Sequence, residues 1–332
     1  MKAIVYDRHG PADVLHLGEV PEPTVGPDDV LVAIRATSVN PVDCKIRQGY
    51  QRAINPQRFP AVPGMDLSGE VLEVGANVVR FEPGDAVWAS PHHRRCGTFA
   101  ERIAVRADEL APKPPSLSHE EAASLPLVAL TAWNCLVDAA KLKSGDHLFV
   151  QAGAGGVGSA AIQIGKAIGA TVTTTCSPAN AQFVTSLGAD RVIDYRSERW
   201  QDSVRDVDVF LACLGPQETL DAIAVLSPGG CVTSINSGMV PAVSAHGPWL
   251  GLLPMVARML RCSLTARLQG RRVHHVVRKA SGLDLAALGS LVDQGTLRPV
   301  VAQVLPLENA ADAHRLSEGG HVRGKVVVAI PE

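Results

Sequence analysis

The stretch QAGAGGVGSAAIQIGKAIGATVTTTCS, residues 151–177, decides the fold class. It places four glycines within six positions, directly after the short apolar run at 148–151. Beyond the glycines, apolar residues recur at i, i+4, i+7 and i+11, which predicts one buried face of a helix that ends at Gly169. These residues are Val157, Ala161, Ile164 and Ile168. The glycines therefore occupy a turn from a buried strand into a helix.

Three glycines of this turn each have a predicted physical role. Gly153 permits the sharp turn, Gly155 lets a pyrophosphate approach the backbone, and Gly158 lets helix and strand pack closely. The helix N-terminus also offers unpaired N–H groups to an anion. The pattern predicts a dinucleotide site, although the motif taken alone also fits an ordinary glycine-rich loop. Its residues are Gly153, Ala154, Gly155, Gly156, Val157 and Gly158.

The end of the following strand bears on which dinucleotide is bound. An Asp or Glu about 20 residues beyond the glycines hydrogen-bonds the ribose 2′-hydroxyl group of NADH and repels the 2′-phosphate of NADPH. Residues 174–180 carry no carboxylate and offer instead Cys176, Ser177 and Asn180. This favours NADPH. Two observations leave the preference open: no Lys or Arg lies nearby in the sequence, and Ser177 also fits the cap of a following helix.

The pattern of Pro, Gly and apolar residues changes near residue 125. Residues 1–125 are cut by Pro and Gly into short alternating runs, which predicts a small β-barrel. From Pro126 onward, short apolar strands alternate with helical stretches, which predicts a parallel, doubly wound sheet over 126–265. The C-terminal part of the chain, 266–332, again mixes helical and strand patterns and is predicted to belong to the first domain. The predicted fold class is therefore α/β with two domains.

Composition indicates small-molecule chemistry. The 332 residues carry a net charge of −2, and Lys and Arg are scattered, so neither a nucleic acid nor a membrane is an expected partner. No signal peptide and no apolar run long enough to cross a bilayer is recognisable. The seven cysteines are dispersed and never form a Cys-x-x-Cys pair, which predicts reduced thiols and a cytoplasmic location.

Six segments in order resemble the medium-chain dehydrogenase/reductase superfamily, and within it the zinc-independent quinone oxidoreductase branch. They are ATSVNPVDCKIRQG (36–49), PAVPGMDLSGEVLEVGANVVRFEPGDAVWA (60–89), GTFAE (97–101), EEAASLPLVALTAW (120–133), GAGGVGSAAIQIGKAIGA (153–170) and GADRVIDYR (188–196). The resemblance covers nearly the whole chain. It implies a GroES-like β-barrel catalytic domain at 1–125 and 266–332, a Rossmann domain at 126–265, and a homodimer.

The resemblance also indicates the chemistry. Zinc dehydrogenases of this superfamily hold their metal with Cys, His and a further Cys, Asp or Glu, at positions that here fall on Asn40, Met65 and near Leu127. None of these replaces a thiolate or an imidazole, so no metal is predicted. Without a Lewis acid, hydride transfer to a simple ketone leaves a costly alkoxide, whereas a conjugated acceptor delocalises the charge.

The predicted function is therefore zinc-independent, NADPH-dependent hydride transfer to a quinone or another conjugated carbonyl compound. Two alternatives stay open at this point. One is an alkenal or enone double-bond reductase, and the other is a non-catalytic NADPH-binding protein with a structural or redox-sensing role.

Residue roles are carried over from the same resemblance. Asn40 is expected to hydrogen-bond the acceptor oxygen, with Asp43, Arg47 and Tyr50 near the cleft and Tyr50 a candidate proton donor. A turn at Asn40 and simple packing of Arg47 and Tyr50 are the alternatives. Asn180 stands where the family has a basic residue, and Arg323 is expected to supply that charge. The remaining implied coenzyme contacts are Thr131, Tyr195, Cys213, Leu214, Ser237 and Lys325.

Overall fold

A computed structural model describes residues 1–95, 97–236 and 238–331. Its strands are β1 (Lys2–Val5), β2 (His16–Glu19), β3 (Asp29–Val39), β4 (Leu67–Val74), β5 (Ala86–Ala89), β6 (Arg102–Arg106), β7 (Leu110–Pro112), β8 (His147–Val150), β9 (Thr171–Cys176), β10 (Arg191–Asp194), β11 (Val207–Ala212), β12 (Leu226–Ser234), β13 (Arg272–His275), β14 (Val301–Pro306) and β15 (Lys325–Ala329).

The helices have the following bounds: α1 (Pro41–Arg47), α2 (His119–Ala123), α3 (Pro126–Trp133), α4 (Gly156–Ile168), α5 (Ala181–Ser186), α6 (Trp200–Ser203), α7 (Pro216–Val225), α8 (Met239–Leu250), α9 (Leu252–Leu268), α10 (Gly282–Asp293) and α11 (Ala310–Glu318). A π-helical stretch, Asn134–Ala139, follows α3. Short 3-10 turns lie at Ala12–Val14, His93–Arg95, Ala107–Glu109, Pro178–Asn180 and Leu307–Asn309. Helix α8 is interrupted at Gly247, whose φ of 78° is left-handed.

The first of two compact units comprises Met1–Leu130, Lys279–Gly295 and the chain from Pro299 onward. Its main sheet has the order β14-β15-β3-β4-β5-β7. Strand β6 pairs with the first half of β3, while β15 pairs with the second half. Alternate residues of β3 point into an apolar core, as the alternating sequence predicts. This sheet places the end of β3 beside the start of α1.

The second unit comprises Thr131–Arg278 and Thr296–Arg298. Its six strands are all parallel in the order β10-β9-β8-β11-β12-β13, which confirms the predicted doubly wound sheet. Strand β8 lies between β9 and β11, so the strand order reverses next to it. Ligands of such sheets bind outside the carboxyl ends of the strands at this reversal. The glycine turn follows β8 at that edge.

The unit boundaries lie later than predicted. Residues 266–278 stay with the parallel sheet because they complete α9 and form β13, which pairs with β12 in register from Cys231↔Arg272 to Ser234↔His275. The first boundary falls after Leu130 instead of 125. No helix in the described part of the chain combines the length and the apolar character needed to span a membrane.

Candidate functional site

The turn after β8 is built around a left-handed alanine. Ala152 has a φ of 54°, a conformation that costs a non-glycine residue roughly 1–2 kcal/mol. Hydrogen bonds to β9 hold it there: Ala152 N donates to Thr175 Oγ1 at 3.1 Å and Gly153 N donates to Thr175 O at 2.9 Å. The sharp turn that the sequence analysis assigned to Gly153 is therefore made one residue earlier.

The glycines of the turn differ in what a side chain would meet. A Cβ atom on Gly153 would lie 2.1 Å from Thr174 Oγ1, and one on Gly158 would lie 2.3 Å from Ala152 O. A Cβ atom on Gly155 would meet only Ala152 O, at 3.4 Å. The protein's own packing thus requires glycine at 153 and 158. It does not require glycine at 155, and the bare backbone there leaves room for a ligand.

Gly155 is also the N-cap of α4, a helix of 13 residues. Its first-turn N–H groups and the helix dipole favour an anion at this end. The turn therefore fits the diphosphate of a dinucleotide, while the individual contacts predicted at Ala154, Gly156 and Val157 stay predictions.

The carboxyl end of β9 carries the predicted ribose-side residues. Cys176 is buried, and Asn180 Nδ2 donates to Ser177 Oγ at 3.2 Å, which ties the loop after β9 together. Asp194 of β10 lies opposite Cys176 in the parallel register. An acidic residue therefore stands beside the end of β9, supplied by the neighbouring strand.

The loop after β10 donates two hydrogen bonds to the Asp194 carboxylate. Asp194 Oδ1 accepts a hydrogen bond from Arg196 N and Asp194 Oδ2 accepts one from Ser197 Oγ, both at 3.0 Å. Tyr195 and Arg196 are exposed at the same edge. Arg196 is a functional candidate that the sequence analysis missed. The sequence motif locates only the residues that directly follow β9. Arg196 follows β10 and reaches the same edge of the sheet because β10 pairs with β9.

The ends of β8, β11 and β12 are joined by side-chain amides. Cys213 N donates to Gln151 Oε1 at 3.1 Å, and Asn236 Nδ2 donates to Leu214 O at 2.8 Å. Gln151 is buried, and its Nε2 has no hydrogen-bond partner among the described residues. This unpaired donor is a further candidate ligand contact. Ser237 lies outside the described residues, and Thr131 is buried in α3.

A buried polar network occupies the end of β3 in the first unit. Asn40 is the N-cap of α1, and Asp43 closes the capping box by accepting from Asn40 N at 2.8 Å. Asn40 Nδ2 donates to Asp66 Oδ2 at 2.8 Å, and Lys325 Nζ donates to Asn40 Oδ1 at 2.5 Å. Lys325 Nζ also lies 3.4 Å from Asp66 Oδ2. Each of these four side chains is at most 5% exposed.

The network stands where the family resemblance placed the metal ligands. Asp66 follows Met65, binds the Asn40 amide, and accepts from Leu127 N at 2.7 Å through its Oδ1 atom. The three positions therefore do converge in space. Their donor set is an amide, a thioether and an aliphatic side chain, which does not fit tetrahedral zinc. Within residues 1–95, 97–236 and 238–331, no group of three His, Cys, Asp or Glu side chains is arranged to hold a metal ion.

Three predicted site residues are engaged inside the first unit instead. Both ends of the Asn40 amide are hydrogen-bonded in a fully buried position, so no face of it is open to an acceptor. Arg47 is also fully buried, donates to Gly10 O at 3.2 Å and pairs with Glu318. The Lys325 ammonium group is buried in the network described above and does not reach a surface phosphate. These three residues therefore contribute to packing and positioning within the first unit, and their predicted contacts with the acceptor and the coenzyme stay predictions.

Tyr50 and Arg323 remain open to the predicted roles. Tyr50 is half-buried just beyond α1, where its N–H group donates to Lys45 O at 3.0 Å. Arg323 is exposed two residues before β15. Both residues stay predictions.

Asp43 is a buried acid whose pKa differs strongly from its ordinary value. Burial raises the pKa of Asp43 to about 7, against the opposing effects of the Asn40 N–H group and the Lys325 charge. Burial also lowers the pKa of Lys325. Asp43 Oδ1 has no partner among the described residues, and the side chain lines a small cavity together with Tyr6, Gln57 and Met65. Asp43 can therefore hold or release a proton near neutral pH.

Known proteins are similar in sequence to this protein along its whole chain. The alcohol dehydrogenase GroES-like domain matches residues 26–115, and the zinc-binding dehydrogenase family matches residues 187–328. NAD(P)H oxidoreductase RTN4IP1, mitochondrial, of Danio rerio is 34% identical over 100% of this chain and 92% of its own length. The chain belongs to the medium-chain dehydrogenase/reductase superfamily, in its zinc-independent quinone oxidoreductase branch.

Two further comparisons support this assignment. The NADPH-dependent alkenal/one oxidoreductase, chloroplastic, of Arabidopsis thaliana is 34% identical over 99% of this chain and 79% of its own length. The structure of the quinone oxidoreductase from Coxiella burnetii superposes with a TM-score of 0.87 at 32% identity, covering 100% of this chain and 99% of that one. The protein is an oxidoreductase, and the predicted GroES-like and Rossmann folds are confirmed.

Proposed function

We propose that this enzyme transfers hydride from NADPH to a conjugated carbonyl acceptor, a quinone or an enone, without a metal ion. The observation that carries the proposal is the network around Asp66. The positions that hold zinc in the metal-dependent branch lie around Asp66 here: Asn40 and Leu127 both donate hydrogen bonds to the Asp66 carboxylate, and Met65 precedes it in the chain. An acceptor that delocalises its own negative charge is the chemistry that suits such a site.

The glycine turn is proposed to bind the coenzyme diphosphate. The α4 N-terminus presents N–H groups to the phosphates, and Gly155 leaves room for them. When bound, NADPH supplies the hydride. The proposed nicotinamide-side contacts are Thr131, Gln151, Cys213, Leu214 and Ser237.

The 2′-phosphate is proposed to lie at the ends of β9 and β10. Ser177, Asn180 and Tyr195 offer hydroxyl and amide groups there, and the Arg196 side chain offers a positive charge that residues 174–180 lack. Asp194, the nearby acid, is already bonded within its own turn, which reduces its competition for the ribose. These features favour NADPH over NADH. Arg323 remains the second proposed source of positive charge.

A proton must reach the reduced acceptor, and two groups of the first unit are proposed for it. Tyr50 is half-buried and carries a phenol. Asp43 has a pKa of about 7 and an unpaired oxygen, so its protonated form is available at neutral pH. A pH–rate profile of the Asp43→Asn variant separates them, because disappearance of the fall in rate above about pH 7 assigns the proton to Asp43.

The decisive experiment measures consumption of NADPH by its near-ultraviolet absorbance with a benzoquinone, a short alkenal and a simple ketone as acceptors. The proposal expects turnover with at least one conjugated acceptor, none with the ketone, and no change after exhaustive chelation. Turnover of the alkenal alone assigns the double-bond reductase alternative. Tight NADPH binding without turnover of any acceptor leaves the non-catalytic alternative and refutes the proposal.

A homodimer and a cytoplasmic location are proposed on the sequence arguments alone. The two relatives described above are named mitochondrial and chloroplastic, so location varies among similar proteins. Light scattering of the purified chain and imaging of a tagged copy in its own cell test these two points.

A further inference from the structure

Helix α9 presents its apolar side to solvent. The stripe consists of exposed side chains spaced three or four residues apart, which places them on one face of the helix. Its members and exposed fractions are Leu253 (69%), Val256 (46%), Leu260 (66%), Leu264 (59%) and Leu268 (79%). The opposite face packs into the second unit through Cys262 and Ala266, which are almost fully buried. An amphipathic helix of a globular protein normally has the reverse orientation.

The end of α8 extends this apolar surface. Trp249 is 70% exposed and Leu250 is 66% exposed, immediately before α9 begins. We call these two residues and the stripe on α9 the apolar ridge. Seven large apolar side chains exposed in one 20-residue segment exceed what scattered surface hydrophobics explain, and such a patch indicates an interaction site.

The chain segment that carries the apolar ridge has charges of a single sign. No Asp or Glu occurs between Asp221 and Asp284, whereas seven basic residues do. They are Arg258, Arg261, Arg267, Arg271, Arg272, Arg278 and Lys279. The three arginines of α9 are exposed, and Arg261 and Arg267 lie along the borders of the stripe at helical spacing from Leu264.

We propose that the apolar ridge and its bordering arginines dock on a lipid bilayer that carries anionic headgroups. Membrane-surface helices combine Leu and Trp on one side with Arg or Lys beside them, so that apolar burial and attraction to anionic lipids act together. This differs from the sequence expectation of no membrane partner, which was based on the charge balance of the whole chain. The excess of positive charge at 222–283 indicates a docking surface only in combination with the solvent-facing apolar side of α9.

The charge pattern favours a bilayer over a second copy of the chain. In a two-fold symmetric contact the same patch faces itself, so arginines beside the stripe would approach arginines of the partner with no carboxylate from this segment to pair them. An anionic bilayer supplies the missing negative charge. The proposal stands independently of the acceptor that the enzyme reduces.

The test is co-sedimentation of the full chain with lipid vesicles. We expect binding to phosphatidylcholine vesicles that contain about 30% phosphatidylglycerol, weaker binding to phosphatidylcholine alone, and a loss of binding at high salt. The double variant Leu260→Asp with Leu264→Asp should bind at least about tenfold more weakly. The double variant Arg261→Gln with Arg267→Gln should lose most of the preference for anionic vesicles.

Leu283→Asp is the matched control. Leu283 is 75% exposed on α10, outside the apolar ridge, so this variant should bind vesicles as the unchanged chain does. All substituted side chains are exposed, and unchanged thermal unfolding checks that the variants fold. Equal binding by all variants, or no binding of the unchanged chain to anionic vesicles, overturns the proposal. So does a dimer that dissociates on substitution at Leu260 and Leu264 while vesicles bind nothing, because the ridge is then a contact between copies.

Discussion

Substituting alanine for Gly155 and, separately, for Gly158 distinguishes a glycine required by the ligand from one required by the fold. A Cβ atom at Gly158 would lie 2.3 Å from Ala152 O and 2.8 Å from Gly153 Cα. Both are backbone atoms of the turn and cannot move aside separately, so Gly158→Ala should destabilise the protein by about 1–3 kcal/mol. At Gly155 the nearest atom is 3.4 Å away, and the φ of −79° suits any residue.

The free energy of unfolding of Gly155→Ala should therefore lie within about 1 kcal/mol of that of the unchanged chain, since the only expected loss is the preference of an N-cap for glycine over alanine. Its effect should appear in coenzyme binding. A side chain at this position occupies the space in which we place the diphosphate. The Kd for NADPH should rise at least about tenfold, equivalent to about 1.4 kcal/mol, and further in Gly155→Val.

Urea unfolding gives the stabilities, and quenching of protein fluorescence by NADPH gives the dissociation constants. Gly229→Ala is a matched control in the same unit, because its φ of 78° strains the backbone while no atom lies within 4 Å of the new Cβ atom. It should lose stability and keep its NADPH affinity. Unchanged affinity in both Gly155 variants would refute the placement of the diphosphate, and a Gly158→Ala protein of normal stability would refute the packing argument.

Three further substitutions test the buried network and the coenzyme preference. Lys325→Met leaves Asp66 buried without its cation and should cost about 3–5 kcal/mol in urea unfolding; adding Asp66→Asn should recover part of this loss. The pKa of Asp43 is about 7 in the folded protein and 3.8 in the unfolded chain, so the folded state binds the proton more tightly. The free energy of unfolding of the unchanged chain, measured relative to that of Asp43→Asn, should therefore fall as pH rises from about 4 to 7. The fall should be at most about 4 kcal/mol. Arg196→Gln should raise the KM for NADPH about tenfold and leave that for NADH unchanged, whereas Arg199→Gln should alter neither.

Periodicity and glycine spacing predicted the second unit well because both are local. Strand β8, the glycine turn and α4 follow one another along the chain, and each element buries its apolar residues in the manner that its period requires. The parallel order of the sheet follows from the alternation of strands and helices. The end of that unit was predicted too early, because β13 is a short polar-looking strand whose assignment depends on pairing with β12.

The polar residues of the first unit could not be assigned from local pattern. The sequence Asn40-Pro41-Val42-Asp43 contains a capping box that starts α1, and this signal was readable, since Asn at the N-cap, Pro at the next position and Asp at the third are typical of a helix start. The partnership with Lys325 was not readable. It joins residues 285 positions apart, and only the antiparallel pairing of β15 with β3 brings them together.

The same contact explains why the metal ligands are missing without loss of structure. In a metal site, one ion with a double positive charge holds several chain segments through their donor atoms. Here Asp66 gathers β3, the start of α1 and the start of α3 through Ser38, Asn40 and Leu127, and Lys325 compensates its charge. Because the carboxylate and the ammonium group neutralise each other, the site can organise these segments but has no unpaired cation left to stabilise an alkoxide. The acceptor must therefore disperse the incoming charge itself, which is why a buried ion pair at this position favours quinones and enones over simple ketones.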